Sequence, residues 1–246
     1  MSHNRSNMDT SENKENEYKI ITLSAILVIS GIILSGPPMV FLIEYLRPNP
    51  EWINIEMFVD NYHWSYAIPY WSGFILMSGN ILFVSSTIRL PEIQNRIHAP
   101  LAMICLAIYG GLVSLNYSIQ TIYVPAAIHK PNNVIEALTM ANPTSVGWTL
   151  EMFAYAFLGV AYWLLSIAFS GYGVGRAIKS LLIFNGIISI AGVIIPAINP
   201  ELLLSSEGIL GYVFWNILIV IIMILVIIYV KYTKYELSSI QIKKYG

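Results

Sequence analysis

Six long apolar stretches, joined by short polar connections, dominate the pattern of hydrophobic and polar residues along the chain. Each has about 20 residues or more, which is the length that an α-helix needs to cross the hydrocarbon core of a membrane. They cover roughly residues 20–46, 67–88, 100–126, 148–170, 177–198 and 209–231. The pattern therefore predicts an all-α, polytopic membrane protein with a bundle of six transmembrane helices.

The two ends of the chain lie outside these stretches and are polar. Residues 1–18 have mixed charge and no aliphatic periodicity, which is typical of a disordered segment. They also lack the basic start and short apolar core of a signal peptide, so we expect the first stretch to be retained as an anchor. The predicted organisation is a disordered cytoplasmic tail over 1–18, a six-helix transmembrane domain over 19–232 and a basic cytoplasmic tail over 233–246.

Composition agrees with a membrane protein, and the distribution of charge predicts its orientation. Hydrophobic residues make up 56% of the chain and charged residues 11%, whereas soluble domains carry about 25% charged residues. Of the 13 lysines and arginines, all but Arg47 and Lys130 lie near the two termini or around the second and fourth connections. Because basic residues in short loops stay in the cytoplasm, both termini are predicted to be cytoplasmic and the protein to reside in the cell membrane.

Polar side chains occur inside the third and fourth stretches, at matching depths. Asn116 lies about 24 Å along a helix axis from Pro100, at 1.5 Å per residue, which places it in the outer third of the membrane. Gln120 follows four residues later, so both amides share one face of the helix. Glu151 enters the same layer at the outer start of the fourth stretch, and Tyr155 lies one turn deeper.

These side chains predict an outward-facing polar pocket. A carboxylate at the centre of a membrane costs about 2.5–3.5 kcal/mol or more unless it is hydrated, protonated or hydrogen-bonded, and amides and phenols are suitable partners for it and for a polar ligand. The candidate ligand-binding residues are Asn116, Tyr117, Gln120, Glu151 and Tyr155, with Glu44, His63 and Asn216 as secondary candidates. Two alternatives stay open: the amides join neighbouring helices, and Glu151 either relays protons or is simply hydrated at the interface.

Glycine and proline interrupt the first stretch at Gly36, Pro37 and Pro38. Proline removes a backbone donor and clashes with the preceding turn, so a kink or break is predicted there. Broken helices mark substrate sites in many transporters. Because glycine and proline are common in membrane helices generally, a purely structural kink is the alternative.

Aromatic residues are concentrated on the predicted outer side. An aromatic belt that anchors the bundle at the lipid headgroups is one interpretation, and an aromatic entrance for a ligand is the other. The tryptophans concerned are Trp52, Trp64, Trp71, Trp148 and Trp215.

A second polar layer nearer the cytoplasm contains Asn80 and Asn185, for which a direct amide pair between helices is predicted. The single cysteine, Cys105, is interpreted as a small buried residue.

Several classes of site and partner are excluded. The chain has no metal-ligand spacing such as HExxH, no phosphate-binding loop and no hydrolase elbow, so neither a metal nor a cofactor is predicted. Basic residues are too sparse for binding nucleic acid. The predicted partner is the lipid bilayer, with a small-molecule ligand and a second copy of the chain as further hypotheses.

Three segments, LNYSIQTIYVP, ANP (Ala141 to Pro143) and WTLEMFAY (Trp148 to Tyr155), resemble a family of six-helix prokaryotic membrane proteins of unknown function. Its members share a span with N-Y-x-x-Q, an Asn-Pro loop and a following span with an early glutamate. The resemblance covers residues 112–165 and implies a six-helix prokaryotic protein. It points to the same residues as the physical argument and implies no substrate.

Three functions are compatible with the sequence, in this order of preference. The first is binding or transport of a small polar or amphipathic molecule that enters from outside. The second is a non-catalytic scaffold or sensor, in which the polar residues hold helices together. The third is an intramembrane enzyme that uses Glu151 with Tyr155 or His63, although nothing in the sequence requires such a pair to meet.

Overall fold

A computed structural model of the chain describes residues 2–48, 50–129, 133–169 and 173–245. Within these residues the structure is helical, without strands. Six helical segments are long and apolar enough to cross a membrane, namely Glu15–Leu46, Trp64–Thr87, His98–Ala127, Val146–Ala168, Val174–Ile198 and Ser206–Thr233. The prediction of an all-α membrane protein with six spans is confirmed.

Ten α-helices are present in the described part of the chain, and some spans contain more than one. The helices of the spans are α1 (Ser2–Ser35), α2 (Pro37–Leu46), α4 (Ile68–Thr87), α5 (His98–Ser118), α6 (Val124–Ala127), α8 (Val146–Leu165), α9 (Val174–Ile198) and α10 (Ser206–Tyr245). Two short helices lie between spans, α3 (Ile55–Asn61) and α7 (Asn133–Leu138). A π-helical turn, Ile119–Tyr123, joins α5 to α6, and 3-10 turns lie at Trp64–Ala67, Ser166–Ala168 and Pro200–Leu204.

The spans pack in chain order and close into a ring. Helix α1 packs against α4, α4 against α5, α5 against α8, α8 against α9 and α9 against α10, and α10 returns to α1. Each of the six spans contributes a fully buried apolar side chain to one continuous core, for example Val28, Phe83, Tyr109, Leu158, Leu182 and Ile222. Large apolar side chains on the outside of the ring are exposed, among them Leu23, Ile104, Phe153, Ile187 and Leu210. A lipid-facing surface requires this arrangement.

Glycines allow two of these helix pairs to approach closely. A Cβ atom added at Gly79 would lie 2.8 Å from the backbone nitrogen of Val28, so α1 and α4 meet at this point. Likewise, a Cβ at Gly186 would lie 3.0 Å from the carbonyl oxygen of Gly159, between α8 and α9. Such small residues are typical of helix contacts in membranes, where close van der Waals packing drives association.

The first span is broken where the sequence predicts. Helix α1 ends at Ser35, Gly36 has an extended backbone, and α2 begins with Pro37. Proline fits the first turn of a helix because its missing N–H would have no partner there. The side-chain oxygen of Asn216 on α10 would lie 3.1 Å from a Cβ at Gly36, so the break packs against the sixth span.

The bundle has two ends. We call the end with α3, α7 and the Pro200–Leu204 turn the distal face, and the end with residues 88–97 and 166–169 the proximal face. A small second core, which includes Phe58 of α3 and Ile135 of α7, covers the distal end of the third span. Which face is cytoplasmic stays a prediction. Lys130, one of the two basic residues that this prediction leaves on the outer side, lies outside the described residues.

Helix α1 begins at Ser2 and so includes the polar segment for which the sequence predicts disorder. Helix formation is cooperative, so the apolar part of α1 can propagate into preceding residues that lack proline and glycine. An ion pair between Lys19 and Glu15 (2.9 Å), one turn apart, supports the helix at the membrane boundary. The domain boundaries at 18/19 and 232/233 stay predictions.

Candidate functional site

Five side chains form one hydrogen-bonded network toward the distal face. The amide of Asn116 donates to Oε2 of Glu151 (2.8 Å), and the hydroxyl of Tyr117 donates to Oε1 (3.1 Å). The hydroxyls of Tyr117 and Tyr155 lie 3.1 Å apart. Gln120 donates to the side-chain oxygen of Asn116 (3.3 Å). The structure therefore brings together all five primary candidate residues around the carboxyl group of Glu151.

A π-helical turn shapes this part of the third span. Pro125 has no N–H to donate to the carbonyl of Thr121, so the regular hydrogen-bond pattern is interrupted. The N–H of Val124 donates instead to the carbonyl of Ile119, five residues back. This wider turn contains Gln120, and such turns occur frequently at functional sites.

Gln120 fixes the segment that follows α7. Its amide nitrogen donates to the carbonyl of Leu138 (2.8 Å), and its oxygen accepts from the N–H of Met140 (3.1 Å). The carbonyl of Met140 accepts from the indole of Trp148 (2.8 Å). The sulfur of Met140 also lies 3.1 Å from the amide nitrogen of Asn116. Both amides thus use their donors and acceptors on protein groups, as the helix-joining alternative requires.

The Asn-Pro motif has a structural role at the distal edge of the network. The amide of Asn142 donates to the carbonyl of Glu136 (2.9 Å). Its oxygen accepts from the backbone N–H (3.0 Å) and the hydroxyl (2.9 Å) of Thr144. This turn is one that asparagine side chains commonly form. It leads the chain from α7 into α8.

Aromatic rings surround the phenol groups of the network. The ring of Tyr117 packs between Tyr70 (centroids 5.7 Å apart) and Phe74 (5.9 Å). It also occupies the space that a side chain at position 73 would need, so glycine is required at Gly73. On the other side, the ring of Trp215 lies 5.0 Å from that of Tyr155. These contacts fix both hydroxyls relative to Glu151.

The described partners of Glu151 are neutral amide and phenol groups. Asn116 is completely buried, and Tyr117 and Gln120 are nearly so, whereas Glu151 is half-buried. Hydrogen bonds to an ionised acceptor are roughly twice as strong as those between neutral groups. The two bonds to its oxygens therefore offset part of the cost of placing a carboxyl group in the membrane.

The secondary candidates have other surroundings. Glu44 is exposed on α2. The Nδ1 atom of His63 lies 2.7 Å from the hydroxyl of Ser65 and accepts from its N–H (3.2 Å), which begins the turn before α4. Asn216 donates to the carbonyl of Tyr212 on its own helix (2.8 Å). Their described hydrogen bonds do not lead to Glu151.

The second polar layer differs from its prediction. The amide of Asn80 donates to the hydroxyl of Tyr109 (3.1 Å), and its oxygen accepts from the hydroxyl of Tyr162. Asn185 is completely buried, and its amide atoms have no partner within the described part of the chain. The predicted Asn80–Asn185 pair is wrong, because α5 and α8 stand between α4 and α9 in the ring.

The tryptophans of the predicted belt have different surroundings, and Trp52 packs against the small second core. Trp64 and Trp71 are 66% and 55% exposed, as expected for headgroup anchors. Trp215 instead packs inside the bundle and donates to the hydroxyl of Ser189 (3.2 Å), so its placement in the belt is wrong. Trp148 lines an open cleft of about 210 Å³ between the distal ends of α8 and α9, together with Thr144, Ser145, Thr149, Met152 and Pro196.

Comparison of the chain with protein-family models, with curated proteins and with solved structures finds no match. The family resemblance of residues 112–165 therefore gains no support from these searches. The six apolar helices indicate an integral membrane protein with six spans.

Sequence reasoning left three residues out of the polar site, although it named Trp215 among the outer aromatic residues. Tyr109, Met140 and Trp215 contact members of the network or extend it. Tyr109 could have been found from its depth, since it lies two turns from Asn116 on α5. Met140 and Trp215 carry no comparable signal, because only the path of the α7–α8 connection and the closure of the ring bring them close.

Proposed function

We propose that this membrane protein binds a small polar or amphipathic molecule at Glu151, as the first step in moving it across the membrane. One observation carries the proposal: hydrogen-bonding groups from the third span converge on a single carboxyl group of the fourth. Asn116 and Tyr117 each hold one of its oxygens. Gln120 donates a hydrogen bond to Asn116, and the hydroxyl of Tyr155 is hydrogen-bonded to that of Tyr117.

A carboxyl group is more than helix association needs. Amides or hydroxyls alone can join two membrane helices, whereas a carboxylate costs at least about 2.5–3.5 kcal/mol at the membrane centre. The described partners of Glu151 are neutral, so its charge is available to a ligand with hydrogen-bond donors. We therefore assign the ligand to small molecules that carry an amine or several hydroxyls.

The cleft beside the network is the proposed entrance. It shares Trp148 with the segment that Gln120 holds, and it opens at the distal face. The distribution of lysine and arginine supports an outward orientation for this face. The resemblance of residues 112–165 to a prokaryotic membrane-protein family favours the same residues, although Lys130 and Pro131 in the intervening segment lie outside the described residues.

A scaffold or sensor function is the second candidate. The observation in its favour is that Gln120 uses its side-chain amide on Asn116, Leu138 and Met140, all protein groups. In that case the network would hold the third and fourth spans together without admitting a ligand. The enzyme hypothesis keeps Glu151 and Tyr155 but loses His63, whose described bonds are to Ser65.

Water access from outside tests the proposal. Single cysteines are placed by Asn116→Cys, Gln120→Cys, Glu151→Cys and Tyr155→Cys in a Cys105→Ser background, and intact cells are treated with a membrane-impermeant thiol reagent. We expect labelling at these positions. Val113→Cys, buried on the same helix, is the matched negative control, and Asn61→Cys, exposed on α3, is the positive control.

The two outcomes separate the candidate functions. Labelling of the four positions, with none at position 113, would show a hydrated site and justify screening amines and polyols for protection. Labelling at position 61 alone would reject the binding proposal and leave the network as a packing element.

A further inference from the structure

Aromatic rings from four helices adjoin the carboxyl group of Glu151. The hydroxyl of Tyr117 on α5 donates to it, and the hydroxyl of Tyr155 on α8 lies 3.1 Å from that of Tyr117. The ring of Tyr70 on α4 packs against Tyr117 (centroids 5.7 Å apart), and the ring of Trp215 on α10 packs against Tyr155 (5.0 Å). These four rings, which we call the aromatic cluster, are therefore connected to the acid by direct contacts.

The rings of the aromatic cluster meet edge to face. The interplanar angle is 61° between Tyr70 and Tyr117 and 76° between Tyr155 and Trp215. In such a pair the positive edge of one ring points at the negative face of the other, so each pair leaves ring faces that its own partner does not cover. Ring faces attract cations, as a carboxylate does. The chemistry of this group therefore favours a positively charged ligand.

Most members of the aromatic cluster keep accessible surface, which a ligand requires. Tyr70, Tyr155 and Trp215 are partly buried, and Glu151 is half-buried. Glu151 and Tyr155 are one turn apart on α8 and share one face of that helix. A ligand at the carboxyl group can therefore contact the rings as well.

Acidic residues are concentrated on the distal side of the chain. By position in the sequence, eight of the 14 aspartates and glutamates belong to this side, together with two of the 13 lysines and arginines, Arg47 and Lys130. The eight acids are Glu44, Glu51, Glu56, Asp60, Glu136, Glu151, Glu201 and Glu207. Membrane orientation accounts for the distribution of lysine and arginine, whereas acidic residues contribute little to it. The excess of acid therefore needs another explanation.

These acids give the distal face a negative potential. Those that are exposed are Glu51, Glu56, Asp60, Glu201 and Glu207. Surface charges of one sign raise the local concentration of ligands of the opposite sign. At physiological ionic strength they act over about 8 Å, so their effect is to attract cations to the face rather than to hold them at Glu151.

We infer that the molecule bound at Glu151 is an organic cation, whose alkylated ammonium group lies between the carboxylate and the aromatic cluster. The side-chain oxygens of Asn116 and Gln120 already accept from protein donors, so the site offers the hydroxyls of a polyol little beyond the carboxyl group. An alkylated ammonium group binds through its charge and through ring faces instead. The inference rests on the proposed function and narrows its ligand from amines or polyols to amines.

Displacement of tritiated choline tests the inference. Choline is the probe because 3,3-dimethylbutan-1-ol has the same shape, with a carbon atom in place of the charged nitrogen. The purified full chain in detergent is equilibrated with tritiated choline at fixed ionic strength, and each compound is added as a competitor. We expect unlabelled choline to displace the label at a concentration at least about tenfold lower than the alcohol, because only the cation is attracted by ring faces and a carboxylate.

Two variants assign the binding to the site. Glu151→Gln removes the charge and keeps the shape, so the affinity for choline should fall about tenfold or more. Trp215→Leu removes one ring and should weaken binding about threefold to thirtyfold. Trp64→Leu, the same substitution at a residue that is 66% exposed and outside the site, is the matched control and should bind choline like wild type.

Three results would overturn the inference: no binding of choline to the wild type, equal displacement by choline and the alcohol, or unchanged affinity in either variant. The first two need no substitution, so a variant that fails to fold does not decide the test. Labelling of Gln120→Cys by the impermeant thiol reagent separates the inference from the proposed function. Labelling that myo-inositol slows and choline does not would reject the cation and keep a ligand site at Glu151. No labelling at any of the four positions would reject the proposed function itself.

Discussion

Glu151 is a carboxylic acid inside a membrane bundle, and its neighbours decide how it is accommodated. Asn116 and Tyr117 each donate one hydrogen bond to it, at 2.8 and 3.1 Å. Removing a carboxyl group from such a site leaves two donors without an acceptor, which costs more than the bonds themselves contribute. An amide can replace it, because the hydroxyl of Tyr117 can turn toward Tyr155 and accept from the new N–H.

At the residue scale we therefore expect Glu151→Gln to be tolerated and Glu151→Ala to destabilise the fold. The alanine variant should lose about 1–3 kcal/mol, the cost of leaving buried polar groups unpaired, and the glutamine variant clearly less. Thermal unfolding in detergent micelles, followed by tryptophan fluorescence, measures the difference. Equal midpoints for wild type and Glu151→Ala would mean that water already occupies the site.

At the scale of helices, glycine contacts connect the α8–α9 pair to the network. A Cβ atom at Gly159 would overlap the side chain of Ser189 on α9. The hydroxyl of Ser189 accepts from the indole of Trp215, whose ring packs against Tyr155. A shift of α9 would therefore be transmitted to Tyr155 through two side chains, Ser189 and Trp215.

Gly159→Ala should force α8 and α9 apart and destabilise the protein by about 1–3 kcal/mol, the usual range for overpacking. Gly192→Ala, three residues beyond Ser189 on α9, is the matched control, since a Cβ there meets no atom within 4 Å. The control should keep or slightly raise stability because alanine favours helix. Thermal midpoints of the two variants test this, and a Gly192→Ala loss equal to that of Gly159→Ala would contradict a specific contact.

At the scale of the whole molecule, six spans in chain order close into a ring. An even number of spans puts both ends of the chain on one side of the membrane. The basic residues predict that this side is the cytoplasm, since lysines and arginines concentrate at the proximal face and near the termini. The orientation matters for function, because it decides whether the cleft at the distal face is open to the outside.

Cysteine labelling in intact cells tests the orientation. In a Cys105→Ser background, Asn61→Cys at the distal face should react with an impermeant reagent added outside. Arg96→Cys, exposed at the proximal face, should react after the cells are permeabilised and not before. The reverse pattern would place the distal face in the cytoplasm and would remove the proposed outer entrance.

The sequence by itself determined the class, the number of spans and the position of each polar side chain along its helix. These follow from local quantities: the length of an apolar run, the rise of a helix and the cost of a charge in lipid. The break at Gly36 is equally local, because Pro37 and Pro38 have no N–H with which to continue the hydrogen bonds of α1. For the same reason Asn116, Gln120 and Glu151 could be assigned to one layer from spacing alone.

Only the tertiary structure decided which of these side chains meet. Spacing along the sequence gives the position of a residue on its helix, but it does not give the neighbours of that helix or its rotation. The predicted partner of Asn80 was therefore Asn185, whereas its hydrogen bonds are to Tyr109 and Tyr162. The same limit placed Trp215 in the belt, whereas closure of the ring turns it onto Tyr155. Which helices are neighbours is a property of packing across the whole bundle, and that packing decides which side chains meet.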